Sequence, residues 1–223
     1  MKKLTALLLA CILLLGCVSA LADDTFTLRN GVHFGETMDQ VKLKETLPLS
    51  TQYGDEHNLY TDRGSVATFP KVEVWYRFKE DTGKLYEMRW SMNQGVTDKS
   101  TNEADFEKLH KALTSKYGDE LGYDDGSCYI ITGGALNGAV TITNLYSTMF
   151  ESGVGKVIDY AEWDVPFGNG EHVKIELVRH YYGSKPSEAK YYINVGYTYF
   201  TDADLDAAVN EKNDDENAIM NDI

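Results

Sequence analysis

From Lys71 to Met92 the chain alternates apolar and polar residues along two arms. Val72, Val74, Tyr76 and Phe78 interleave with Lys71, Glu73, Trp75, Arg77 and Lys79; Tyr86, Met88, Trp90 and Met92 interleave with Glu87, Arg89 and Ser91. A period of two predicts paired strands in a sheet with one covered face and one wet face. Asp81-Thr82-Gly83 between the arms supplies a turn, with glycine where a positive φ is expected.

The same alternation predicts strands at about Lys156–Val165, His172–Tyr182 and Lys190–Phe200, and shorter ones at Thr25–Leu28, Asn58–Thr61, Cys128–Thr132 and Ala139–Tyr146. Val173, Ile175 and Leu177 share one side of their strand and Lys174 and Glu176 the other; Tyr191, Ile193, Val195, Tyr197 and Tyr199 give the last strand its apolar side. Helical spacing appears in two places. Thr37 and Gln40 form a T-x-x-Q capping box for a helix near Thr37–Thr46, stopped by Pro48, and Met38 and Val41 point inward. Ser100 and Glu103 form an S-x-x-E box, after which Phe106, Leu109, Leu113 and Tyr117 make one stripe and Gly118 ends the helix. Thr201 caps a third, short helix from Asp202 to about Val209, with Asp202 and Asp204 at its positive end.

Together these elements predict an α+β fold: a mainly antiparallel sheet with short helices on one face. One domain spans 23–200. The order helix-then-strands occurs twice, in possible halves 25–95 and 100–200, without a residue-level repeat. Residues 201–223 form a short acidic helix and a polar tail expected to fray.

The opening MKKLTALLLACILLLGCVSALADD has the plan of a secretory signal peptide over residues 1–22, with a cleavage signature at Ala20-Leu21-Ala22. Its apolar run is shorter than the about 20 residues that span a bilayer, and no second such run follows, so no transmembrane segment is expected. Leu14-Leu15-Gly16-Cys17 also fits a lipobox, in which Cys17 would carry a lipid anchor, and both readings stay open. Either places the protein outside the cytoplasm, extracellular or associated with the cell envelope. Cys128 is then alone in the mature chain, which excludes an internal disulfide and predicts a small buried strand residue. The formal charge of −14 disfavours nucleic acid, whose phosphates need a basic face.

The stretch Asn30–Val41, NGVHFGETMDQV, turns through a glycine into a helix start. A phosphate cradle there would need converging N–H groups and a basic residue. Glu36 and Asp39 occupy that end instead, so Gly35 is read as a packing corner. With this strand, glycine and T-x-x-x-V order, residues Asn30–Thr46 resemble the SmpA/OmlA type of small envelope lipoprotein, which helps assemble outer-membrane barrels. They are also similar to the helix-then-sheet units of proteinaceous β-lactamase inhibitors. The resemblance implies a binding scaffold and brings no catalytic residues.

Reactive constellations are scarce. His33, His57, His110, His172 and His180 form no metal-ligand motif, and His110 is read as a partly buried helix residue. Asp202, Asp204 and Asp206 imitate the start of a calcium loop, but Ala207 and Asn213 stand where glycine and glutamate are required. Asp124-Asp125-Gly126 is a turn. No metal or other cofactor is therefore expected. No G-x-S-x-G occurs. Glu162 and Glu176, on neighbouring strands, are the best available carboxylate pair and are read as solvated. The unusual feature is fifteen tyrosines, mostly in strands. Trp75, Tyr160, Tyr182 and Tyr192 on the wetter face would offer flat rings to a partner. The expectation is an exported, non-catalytic module that binds a protein or envelope component; the alternative is a carbohydrate-binding or glycan-processing envelope protein.

Overall fold

A computed structural model describes residues 25–124, 155–168, 170–182 and 190–207. The leader with Cys17, Cys128, the two strands expected between Cys128 and Tyr146, and the tail beyond 207 lie outside the described residues.

Eight described strands form one antiparallel sheet. They are β1 (Asn58–Tyr60), β2 (Gly64–Val66), β3 (Phe69–Phe78), β4 (Leu85–Val96), β5 (Gly122–Asp124), β6 (Gly155–Phe167), β7 (Glu171–Tyr182) and β8 (Lys190–Thr201). Their order is β1-β3-β4-β8-β7-β6-β5, with β2 also on β3. The helices are α1 (Met38–Lys44) and α2 (Lys99–Tyr117), with a third, α3, at 202–207. Among the described strands, the chain leaves β4 through α2 and next enters β5 at the other end of the order, and β6, β7 and β8 then lead back until β8 pairs with β4. The two helix-then-strands stretches thus share one continuous sheet.

The first face of the sheet holds the apolar core. Val72, Val74, Tyr76 and Phe78 of β3, Met88 and Met92 of β4, Ile193 and Val195 of β8, Val173, Ile175 and Leu177 of β7, and Ala161 and Trp163 of β6 join Phe106 and Leu113 of α2 in one cluster. The helical stripe meets this face as its spacing predicts, with Leu109 and Tyr117 partly buried beside it. The indole of Trp163 donates to the Gly118 carbonyl at 3.0 Å, tying the end of α2 to β6.

Several local details differ from the sequence expectation. Thr25–Leu28 forms only a single bridge, Thr27 to His33, around a 3-10 turn at Arg29–Gly31. The capping box at Thr37 and Gln40 is present, whereas the Ser100–Glu103 box is not. Asp98 is the cap of α2: its carboxylate takes the Ser100 N–H at 3.0 Å and the hydroxyls of Ser100 and Thr101, and these donors hold its pKa below the usual carboxylate range. Glu103 instead turns toward Arg179, 3.9 Å away. On β4 the pairing slips between Arg77 and Phe78, so Leu85 opposes Phe78 and enters the core while Tyr86 bulges out half-exposed.

Inside α2, Asn102 is 0% exposed and neither end of its amide has a hydrogen-bond partner among the described residues. An unpaired buried polar group costs about 1–3 kcal/mol. Asn102→Leu is therefore expected to raise stability by about that amount, read as a higher urea midpoint at unchanged slope; a lower midpoint would show that the amide is satisfied in solution.

Candidate functional site

The second face of the sheet carries the polar residues. The strand registers stack them in rows. One row runs Tyr60, Trp75, Arg89, Gly196, Glu176, Glu162; the next runs Asn58, Arg77, Glu87, Thr198, Lys174, Asp164. The sequence predicts this face to be wet. At its centre it is not: Glu87, Arg89, Lys174, Glu176 and Glu162 are all buried, with Glu162 3% and Glu176 4% exposed. The reading of these two glutamates as solvated is thereby overturned.

The charges tolerate burial because they alternate in sign across the strands. Arg77 lies 3.0 Å from Glu87, and Glu87 also pairs with Arg89. Arg89 reaches Glu176 at 3.6 Å, and Lys174 lies 2.5 Å from Glu176 and 3.9 Å from Glu162. Tyr160 donates its hydroxyl to Glu162. Gly196 of β8 lies beneath the span. Strands β4 and β7 flank β8, so Arg89 and Glu176 meet over Gly196, where a Cβ would stand in ordinary contact with the Glu176 carboxylate at 3.5 Å and Arg89 at 3.8 Å. Burial pushes the Glu162 carboxyl up, against the opposing pull of Lys174 and the Tyr160 hydroxyl.

Of the four aromatic residues expected on the wetter face, the registers place Trp75, Tyr160 and Tyr192 on this face, and the backbone of Tyr182 places it there too. They do not gather. Tyr160 is 2% exposed, because its hydroxyl turns into the charged row, and it is unavailable to a partner. Tyr192 stacks on buried His180 at 5.3 Å, a position about 13 Å along β8 from the Trp75 row. For Tyr182 the description extends to the backbone alone.

Trp75 has other neighbours, which the sequence analysis missed. Its ring lies 5.6 Å from Tyr60, and Tyr60 lies 6.4 Å from Tyr53. Tyr53 is 64% exposed, so the three rings step outward from the sheet to solvent at the β1 edge. The loop that presents Tyr53 is fixed by Asp55, whose carboxylate accepts the His57 N–H at 2.8 Å and the Asn58 amide at 2.9 Å. Ser50 N–H closes the loop on the Tyr60 carbonyl at 2.9 Å. One pair further along β1 and β3, at Asn58 and Arg77, an open groove of about 490 Å³ is lined by these two with Asp55, His57 and Tyr86, among others. Arg63 and Glu73 pair at 3.7 Å nearby. Aromatic anchors inside a polar rim are the composition of a recognition surface.

His172 bridges Asp164 at 3.0 Å and Asp202 at 3.2 Å, linking β6 and β7 to the first turn of α3. Thr201 and Asp204 cap that helix reciprocally, so its aspartates serve the helix start as expected. No group of three or more metal-ligating residues occurs among the described residues, and no described helix is long and apolar enough to cross a membrane. Compared with protein-family models, curated proteins and solved structures, the chain matches none.

Proposed function

We propose that this chain is an exported, non-catalytic binding module that recognises a protein or envelope component through the aromatic edge of its sheet. The observation that carries the reading is the Tyr53–Tyr60–Trp75 step, in which a flat, half-buried indole is continued by two further rings to an exposed tip. Trp and Tyr dominate binding energy where they sit in a packed, polar-rimmed patch. The charged row supports the non-catalytic part of the reading: its glutamates are held by Lys174, Arg89 and Tyr160 and are too buried to meet a substrate. The leader, and the likeness of Asn30–Thr46 to small envelope lipoproteins, support the envelope setting.

The neighbouring groove favours a second reading, a glycan ligand, because Asp55, Asn58 and Arg77 offer hydrogen bonds there beside the Tyr86 ring. Trp75→Ala tests both. A partner retained by the mature wild-type chain from envelope extract should bind the variant about 30-fold more weakly, the equivalent of losing about 2 kcal/mol at an anchor, with an unchanged circular dichroism spectrum. Equal retention by the variant would remove the aromatic edge from the proposal. Tryptophan fluorescence titrated with soluble glycans separates the readings: a saturable shift lost in Trp75→Ala favours the glycan, and a flat titration leaves the protein partner.

A further inference from the structure

The corner at His33-Phe34-Gly35 does what its sequence suggests and something more. Gly35, at φ 80°, turns the chain so that its N–H donates to the Leu85 carbonyl at 2.9 Å, and the Leu85 N–H donates to the Glu36 carbonyl at 2.8 Å. The corner thus docks on the start of β4. Its side chains face a cavity of about 300 Å³, at the end of the sheet where β4, β6, β7 and β8 begin or finish.

Four rings that line this cavity close on one another in a circuit. Phe26 lies 6.1 Å from Phe34, Phe34 5.7 Å from Tyr199, Tyr199 6.2 Å from Phe167, and Phe167 5.8 Å from Phe26. Glu171 stands on the same wall and accepts the Tyr199 hydroxyl at 2.6 Å. No cation among the described residues pairs with it. Burial, helped by this carboxylate, pushes the Tyr199 hydroxyl up to about 12, so it remains a donor. Lys79 and Lys84 also line the cavity, brought together because they close the hairpin turn, with the Lys79 N–H on the Lys84 carbonyl at 2.8 Å. Lys79 has only Asp204, 3.9 Å away, and Lys84 has no carboxylate partner among the described residues. Nδ1 of His33 is shut off from water and has no hydrogen-bond partner among the described residues.

We propose that this cavity binds a small zwitterion that joins a quaternary ammonium to a phosphate, the chemistry of phosphocholine. Ring faces are electron-rich and attract an organic cation within about 6 Å of their centroids, most strongly where water is excluded. The Glu171 carboxylate, which no cation among the described residues offsets, adds the counter-charge. A metal ion is the wrong cation here, because one carboxylate among aromatic carbons cannot supply a hard ion's oxygen shell. The two lysines would repel a bare ammonium, so the same ligand must carry an anion to meet them; Thr82, also on the lining, adds a hydroxyl. The volume stands at the small end of ligand sites, about 300–1,000 Å³, which suits a head-group-sized molecule. The cavity adjoins the groove described above, sharing Lys79 and Tyr86 with it, but Tyr53, Tyr60 and Trp75 do not line the cavity, and its occupancy does not depend on that reading.

Isothermal titration of the mature chain with phosphocholine, tetramethylammonium and inorganic phosphate tests the assignment. Phosphocholine is expected to saturate one site, with each half-ligand at least tenfold weaker. Glu171→Gln should weaken phosphocholine and tetramethylammonium at least tenfold; Lys84→Ala should weaken phosphocholine and leave tetramethylammonium unchanged. Both residues lie outside the apolar core, so the variants test binding without emptying it. Co-sedimentation with phosphatidylcholine vesicles distinguishes the source. Retention competed by free phosphocholine assigns a lipid head group, and titration without retention assigns a soluble ligand. Absence of binding in either form, or binding indifferent to both substitutions, would overturn the proposal.

Discussion

Arg89→Met is expected to cost the fold about 3–5 kcal/mol, because breaking a buried ion network from one side leaves its partners uncompensated. Arg89 is the cation between Glu87 on its own strand and Glu176 two strands away. Without it Glu176 keeps, among the described residues, Lys174, which already serves Glu162, and the long 3.5 Å bond from Tyr160, while Glu87 keeps the Arg77 cation, whose side chain is half in water. The measurement is the urea midpoint of Arg89→Met against wild type. The loss should be strongly non-additive. In Arg89→Met/Glu87→Leu/Glu176→Met, all three charges leave together and most of the stability should return, since an apolar substitute for a buried ion cluster is often neutral or better. A triple variant weaker than the single one would show that the network contributes net stability.

The second large effect is on pH. His180 is buried against Tyr192, and burial drives its imidazole down to about 4 from 6.5. Between those values the unfolded chain binds a proton that the folded chain refuses, so stability falls as pH falls. The stability is complete above about 6.5, where the unfolded imidazole is also neutral, and is lost progressively down to about 4. The shift corresponds to about 3 kcal/mol by the linkage relation. Glu162 and Asp159 act in the opposite sense, because burial raises both carboxyls and the folded chain gains stability as they take up protons. The wild-type curve therefore mixes the two signs, and the difference between wild type and His180→Phe isolates the histidine. That difference, from urea unfolding at several pH values between 4 and 7, should grow by about 3 kcal/mol in favour of the variant as the solution is acidified. A constant difference would mean that His180 titrates like a free imidazole.

The elements legible in the sequence are those whose causes are local. The β3–β4 turn, the Thr37 capping box and the α2 stripe each rest on residues within a few positions of one another, and each appears where its spacing places it. Local competition explains the near misses. Asp98 outbids Ser100 as a cap because a carboxylate two residues earlier can gather both the Ser100 and Thr101 donors, and a one-residue bulge puts Leu85 in the place expected for Tyr86.

The second face shows where local reading ends. Alternation identifies Glu87, Arg89, Lys174, Glu176 and Glu162 as polar positions correctly, yet their burial depends on strand order, which alternation does not encode. Nothing local says that β8 lies between β4 and β7 with Gly196 under the meeting point. Tyr60 and Tyr53 escaped notice for a related reason: one sits on a three-residue strand and the other in a loop, and only the fold of residues 50–60 brings them to Trp75. The cavity at the His33 corner draws its lining from four separate parts of the chain and has no linear signature.

The β4–β8 seam imposes an order of assembly. Its partners, such as Trp90 and Val195, stand about a hundred residues apart, among the long separations that slow folding most. The early strands β1 to β4 can pair among themselves, yet the edge of β4 stays open until the final strand has been made. Shortening the chain within β8 would therefore expose that edge to strands of other molecules, and such a product should self-associate more readily than the intact protein.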